Sequence, residues 1–147
     1  MENSLKDLKT MARQQLEDII SIMKNKKIII RLLDFKFDEF FRLAHMENFE
    51  EYEYLFGKRG TTLLINFDIL EKQLEIIMSV IEKYNIELNL LVPMICRIGD
   101  FKYIKNIILR KSIDFHIDRL KIGAMIENIC SVNYIDEIAK ESDFISI

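Results

Sequence analysis

Glycine and proline are scarce, with four and one among the 147 residues. That leaves no flexible linker, no low-complexity tract and no obvious internal boundary. The two cysteines, Cys96 and Cys130, stand far apart in the chain without CxxC or Cys/His spacing. A disulfide framework and a zinc module are therefore not indicated, and the pair reads as small buried hydrophobes in a reducing compartment. The two histidines, His45 and His116, are isolated, and each is expected on the surface or in a loop rather than as a ligand or base. No apolar run approaches the ~20 residues of a membrane span. The opening Met1-Glu2-Asn3-Ser4-Leu5-Lys6-Asp7 lacks the apolar core of a signal peptide, so a cytoplasmic location is expected. Charge of one sign is missing too. With 21 basic and 24 acidic residues and a net charge of -3, the chain has no broad basic face for nucleic acid or an anionic membrane, and neither partner is expected.

What is present is apolar periodicity. Half of the residues are apolar, enough for one core, and 147 residues are too few for two ordinary domains, so residues 1–147 are treated as a single unit. Ser4 with Asp7 can cap a helix whose stripe is Leu5, Leu8, Ala12, Leu16, Ile19 and Met23. Lys24 to Lys27 end it, and the run Ile28 to Leu33 has the character of a strand buried on both faces. The pattern then recurs. Asp68 with Glu71 predicts a second capping box, Leu70 to Tyr84 a helix ending near Asn85, and Leu88 to Val92 a strand. A helix from Asp100, a strand over 120–126, a helix over 131–140 and a closing strand over 144–147 follow. Residues 35–60 are the least regular, and Thr61 to Ile65 predict a possible extra strand. Alternation at this spacing implies parallel βαβ units, in a wound sheet or part of a barrel. In such folds the loops after the strands' C-terminal ends build the site.

Three charged residues occupy those ends. They are Arg31 within the first apolar strand, Arg59 in Gly57-Lys58-Arg59-Gly60, and Glu127 after Ile122-Gly123-Ala124-Met125-Ile126. A charge in a buried strand costs several kcal/mol unless paired, so each needs a partner or a ligand. One reading is an internal ion pair, Arg31 with Asp34 or Glu127. The other is an anion and metal site, because an Arg fork matches phosphate oxygens and glycines admit close backbone approach. The Gly-Lys-Ser/Thr ending of a Walker loop is absent. Glu47, Glu50, Glu51 and Glu53 lack metal-loop spacing and read as a solvated face. No Ser-His-Asp or Gly-x-Ser-x-Gly pattern occurs.

Five of these segments, in order, resemble the C-terminal barrel of the phosphoenolpyruvate-utilising enzymes. Ile30-Arg31-Leu32-Leu33-Asp34 followed by Glu39-Phe40 is most similar to pyruvate, phosphate dikinase. Gly57-Lys58-Arg59-Gly60 with Gln73 resembles the family's Gly-x-Arg-Gly and following helix, and Leu91-Val92-Pro93-Met94-Ile95 its central Pro-Met-Ile strand end. Gly123-Ala124-Met125-Ile126-Glu127 resembles its Gly-x-Met-Ile-Glu strand, and Ile138 to Ile147 the segment running into Phe-Phe-Ser. The resemblance covers about residues 27–147 and implies a partial, incomplete TIM-type (β/α) barrel with parallel strands. It further implies Mg2+-bound phosphoenolpyruvate, or pyruvate, and a phosphoryl group passing to a histidine of a separate domain. Arg31 and Arg59 would hold the phosphate, Asp34 would orient Arg31, and Glu127 would ligate Mg2+. The family's Asn-Pro before Gly-x-Arg-Gly is Glu53-Tyr54 followed by Leu55-Phe56 here, and the Pro after Met-Ile-Glu is replaced by Ile129. Its Gly-Thr-Asn-Asp loop, which carries the second metal carboxylate, and its later Cys have no counterpart up to Ile147. The expectation is a truncated or degenerate dikinase-like fragment, inactive alone. Enzyme I of the sugar phosphotransferase system is the alternative, and a non-catalytic module docking on another chain through open sheet edges is a third.

Overall fold

The computed structural model describes residues 2–23, 26–34, 60–66 and 69–147. In chain order these form α1 (Glu2–Ile22), β1 (Ile29–Arg31), α2 (Thr61–Asn66), α3 (Ile69–Tyr84), β2 (Leu88–Val92), α4 (Ile98–Asp114), β3 (Leu120–Met125), α5 (Ile129–Asn133), α6 (Ile135–Glu141) and β4 (Phe144–Ser146). All strand pairs are parallel, and the order across the sheet is β1-β2-β3-β4. A doubly wound sheet reverses direction from a central strand, whereas strands added to one side in chain order form the arc of a (β/α) barrel. The partial-barrel expectation therefore holds.

Side-chain alternation explains why the arc has one helical layer. Ile30 and Leu32 beside β2's Leu88, Leu90 and Val92, then Ile122, Ala124 and Ile126, belong to or pack on a single apolar cluster. Against them lie Leu70, Leu74, Ile77, Met78 and Ile81 of α3 and Phe101, Ile104 and Ile108 of α4, all nearly inaccessible. Each such side chain contributes about 1.5–3 kcal/mol by leaving water. The intervening positions Arg31, Leu91, Gly123 and Met125 face the other way. The left-handed Asn85, φ 47, ends α3 near the expected residue. Among the described residues no helix is long and apolar enough to cross a membrane.

Several expectations are corrected. Thr61–Asn66 is a helix and not a strand. Its β-branched residues favour a strand, but Gly60 at φ 57 turns the chain, Leu64 donates back to the Gly60 carbonyl at 3.0 Å, and Leu64 is buried. Ser4 lies inside α1, which begins at Glu2, so the anticipated cap does not start that helix. The stripe of α1 is also rotated, because Ile20 is fully buried while Ile19 is half exposed. Of the described strands, only β2 is buried along its whole length. β1 is an edge strand with Ile29 and Arg31 exposed. The helix expected over 131–140 is two, divided at Tyr134. Asp68, His45, Glu39-Phe40 and the Glu47–Glu53 run lie outside the described residues.

Gly123 pairs with Phe144, and a Cβ at position 123 would collide with the Phe144 ring, which lies across the glycine. Gly99 in α4 has open space around its Cα. Gly123→Ala should therefore lose about 1–3 kcal/mol in urea unfolding, whereas Gly99→Ala should gain up to about 1 kcal/mol.

Candidate functional site at the strand ends

Because the strands are parallel, their following loops gather on one side of the sheet. Residues 32–34 follow β1, Pro93 to Arg97 follow β2, and Ile126 to Asn128 follow β3. Met94 is where the loops after β2 and β3 meet, beside the start of α2. Its backbone N–H donates to Glu127 Oε1 at 2.8 Å, and its carbonyl accepts from Thr61 Oγ1 at 3.4 Å. A Cβ on Gly60 would overlap that of Met94. Met94 itself is left-handed, φ 49, a conformation an unbranched non-glycine residue holds only when its surroundings fix it.

Arg31 is exposed and in register with Leu91, and through it with Gly123. Glu127 is exposed too, on the continuation of β3. Alternation puts both on the face away from the helices, two strands or about 10 Å apart laterally, with Glu127 about 13 Å farther along the strand direction. That offset explains why no salt bridge joins Arg31 to Glu127. Both side chains are solvent-accessible, so the desolvation cost expected of charges in a buried strand does not arise. Asp34 follows β1 by three residues and is half-buried, and the adjacent Leu33 N–H is held by Gln73 Oε1 at 3.1 Å. Arg59 lies outside the described residues, yet its neighbour Gly60 is buried against Met94. His116, by contrast, precedes β3 at the opposite end of the strands, where it is exposed with Nδ1 3.4 Å from Glu82 Oε1.

Asn128 was not anticipated from the residues. It caps α5 by accepting from the Ser131 N–H at 2.9 Å, while the Ser131 hydroxyl accepts from the Asn128 N–H, completing a capping box. Asn128 Nδ2 also donates to the Ile95 carbonyl at 3.3 Å, tying the loop after β2 to α5. The sequence signal was the Asn-x-x-Ser spacing after Met-Ile-Glu. The cysteines are a further correction. Cys96 is exposed and Cys130 half-buried, both as free thiols.

The fold and its strand ends define the mouth of a (β/α) barrel, with guanidinium and carboxylate groups on one rim. The model of the "PEP-utilising enzyme, PEP-binding domain" matches residues 2–147, and the chain belongs to that family. The match includes α1, which the motif resemblance had left out. Similar curated proteins include the phosphoenolpyruvate-protein phosphotransferase of Staphylococcus aureus, 29% identical over 140 residues that make up 89% of this chain and 23% of that protein. The enzyme of the same name from Listeria monocytogenes is 28% identical over 136 residues, 88% of this chain and 23% of its own. The multiphosphoryl transfer protein of Xanthomonas campestris pv. campestris is 30% identical over 126 residues, 85% and 15%. The chain thus spans under a quarter of the length of these relatives.

Asn128→Ala removes a cap and an inter-loop hydrogen bond together, and should cost about 1–2 kcal/mol of stability. Amide exchange checks the location: protection should fall first at Ile129 to Ser131, with α4 unaffected.

Proposed function

We propose that this chain is the phosphoenolpyruvate-binding part of a phosphotransferase that passes the phosphoryl group to a protein acceptor. The observation that carries the reading is the Met94 junction, which draws the residue following Arg59 against the backbone that Glu127 anchors. Arg59 and Arg31 hold the phosphate, where their fixed positive charge offsets charge spread over the phosphoryl oxygens during transfer. Asp34 orients Arg31. Glu127 fits as one hard oxygen ligand for Mg2+, which ordinarily takes one or two carboxylates and completes its shell with water and substrate phosphate. Only one of its oxygens accepts from Met94. When bound, the metal would supply Lewis-acid polarisation of the phosphoryl oxygens.

We assign the acceptor histidine to another domain or chain, as in the resemblance: among the described residues the one histidine, His116, lies at the wrong end of the strands. The chain alone therefore binds phosphoenolpyruvate without turning it over. The names of the relatives favour a protein phosphotransferase of the enzyme I kind. Ile30-Arg31-Leu32-Leu33-Asp34 supports the dikinase as a second reading, which changes the acceptor and not the binding site.

Isothermal titration of phosphoenolpyruvate into the wild type, with and without Mg2+, tests the assignment. Binding should require the metal and should weaken about tenfold or more in Arg31→Ala and in Arg59→Ala, as loss of a charged hydrogen bond of ~1.5–3 kcal/mol implies. Glu127→Gln should lose the Mg2+-dependent binding while a melting curve confirms folding. Equal heats in the wild type and both arginine variants, or no heat in any, would overturn the proposal. Pyruvate release by the chain alone would overturn its second half.

A further inference from the structure

Glu127 is held from two sides. On the side of the loop after β2, its Oε1 accepts the Met94 N–H at 2.8 Å. On the other side its main chain is held by Ser131. The Ser131 hydroxyl accepts from the backbone N–H groups of Glu127 and of Asn128, each at 3.3 Å, and donates to the Asn128 carbonyl at 2.8 Å. A hydroxyl has one donor and two acceptor sites, and all of them are taken up by these two residues. Ser131 is wholly inaccessible to solvent, so water does not compete for its bonds. Its own N–H returns to the Asn128 side chain at 2.9 Å. A glutamate side chain is rich in rotamers, and one that leaves a mobile backbone presents its oxygens at a given point only part of the time. The bonds of Ser131 remove the backbone share of that freedom.

We propose that Ser131 is a positioning residue for Glu127, fixing the backbone from which that carboxylate is presented to Mg2+. The inference rests on the reading of Glu127 as a magnesium ligand and adds the device that keeps the ligand in place. Ser131 touches neither metal nor substrate. It holds the main chain at Glu127 and Asn128, so that the glutamate leaves the chain in one direction and its Oε1 reaches Met94. An outer group of this kind orients a metal ligand, and its loss typically costs about 10–100-fold in metal affinity. Position 129 offers an independent way to restore the same constraint. Ile129 is the first residue of α5 and is exposed, and Asn128 before it is extended, at φ -142 and ψ 163. Proline is favoured at the first position of a helix and requires an extended residue before it. Ile129→Pro therefore fits the chain as it stands and stiffens the turn without a hydroxyl.

The Met94 amide reports on Glu127 without any metal, because it lies 33 residues away on another loop and bonds to the carboxylate itself. In Ser131→Ala, hydrogen exchange at Met94 followed by NMR should quicken about tenfold, as far as it does in Glu127→Ala, and adding Ile129→Pro should slow it again. In a calorimetric Mg2+ titration at fixed phosphoenolpyruvate, the midpoint for Ser131→Ala should rise about tenfold, and saturating Mg2+ should restore the wild-type affinity for phosphoenolpyruvate. General loosening of the rim would instead lower that affinity at every Mg2+ concentration. Unchanged Met94 exchange in Ser131→Ala, a defect that saturating Mg2+ does not relieve, or no recovery on adding the proline would overturn the proposal. The two readings fail separately. If Met94 exchange responds as stated while the wild type binds no Mg2+ and phosphoenolpyruvate, Ser131 still positions Glu127 and the magnesium assignment falls. Where Ser131→Ala does not fold, the wild type decides, because exchange of the Glu127 and Asn128 amides at the free-chain rate would show that Ser131 does not hold them.

Discussion

The parallel register of β1, β2 and β3 is the constraint from which the rest of the structure follows. Ile30, Leu90 and Ile122 lie in line across the sheet, as do Arg31, Leu91 and Gly123 one step on. A slip of one residue in any strand exchanges its two faces. In β1 it would drive Arg31 into the helix layer and turn Ile30 and Leu32 out of it. Along β3 it would do the same with Glu127 and Ile126. Burying an unpaired charge and exposing core residues together cost several kcal/mol, so the apolar cluster and the charged rim enforce one arrangement. The charges contribute to specifying the fold by being excluded from one face of it.

A second level of order rests on Met94. Once the register is set, the chain must leave β2 through a sharp turn at Pro93-Met94, and the left-handed Met94 directs its N–H to Glu127 and its carbonyl to Thr61. Gly60 is required there because anything larger would occupy the space of the Met94 side chain. Asn128 repeats the tie one residue further along. The rim therefore consists of loops that support one another, and a strained residue persists because several contacts hold it.

The sequence made the strands and their chemistry legible and the tertiary encounters illegible. Leu88 to Val92 was bounded correctly because a strand between two neighbours and under a helix layer is buried at every position, and only Asn89 within it is polar. The same logic overstated β1, whose edge position depends on what lies beside it and leaves no trace in its own five or six residues. Thr61–Asn66 went wrong because β propensity expresses fit to a sheet surface, and here Gly60 at φ 57 turns the chain into a helix that buries Leu64. The choice of Ile20 over Ile19 depends on the exit angle of α1, which adjacent isoleucines cannot report. Family motifs pointed to Arg31 and Glu127, but nothing in them announced Asn128's bridge to Ile95. It joins loops on neighbouring strands, and sequence distance conceals such neighbours.

The sheet's spatial order is also its order of synthesis. Among the described strands each joins the edge left open by the one before it, and none is inserted between strands already paired. As the chain emerges amino-terminus first, β2 can dock on β1 and cover it with α3 before β3 exists. Assembly can therefore proceed by growth at one end, with each partly made product a shorter version of the same arc.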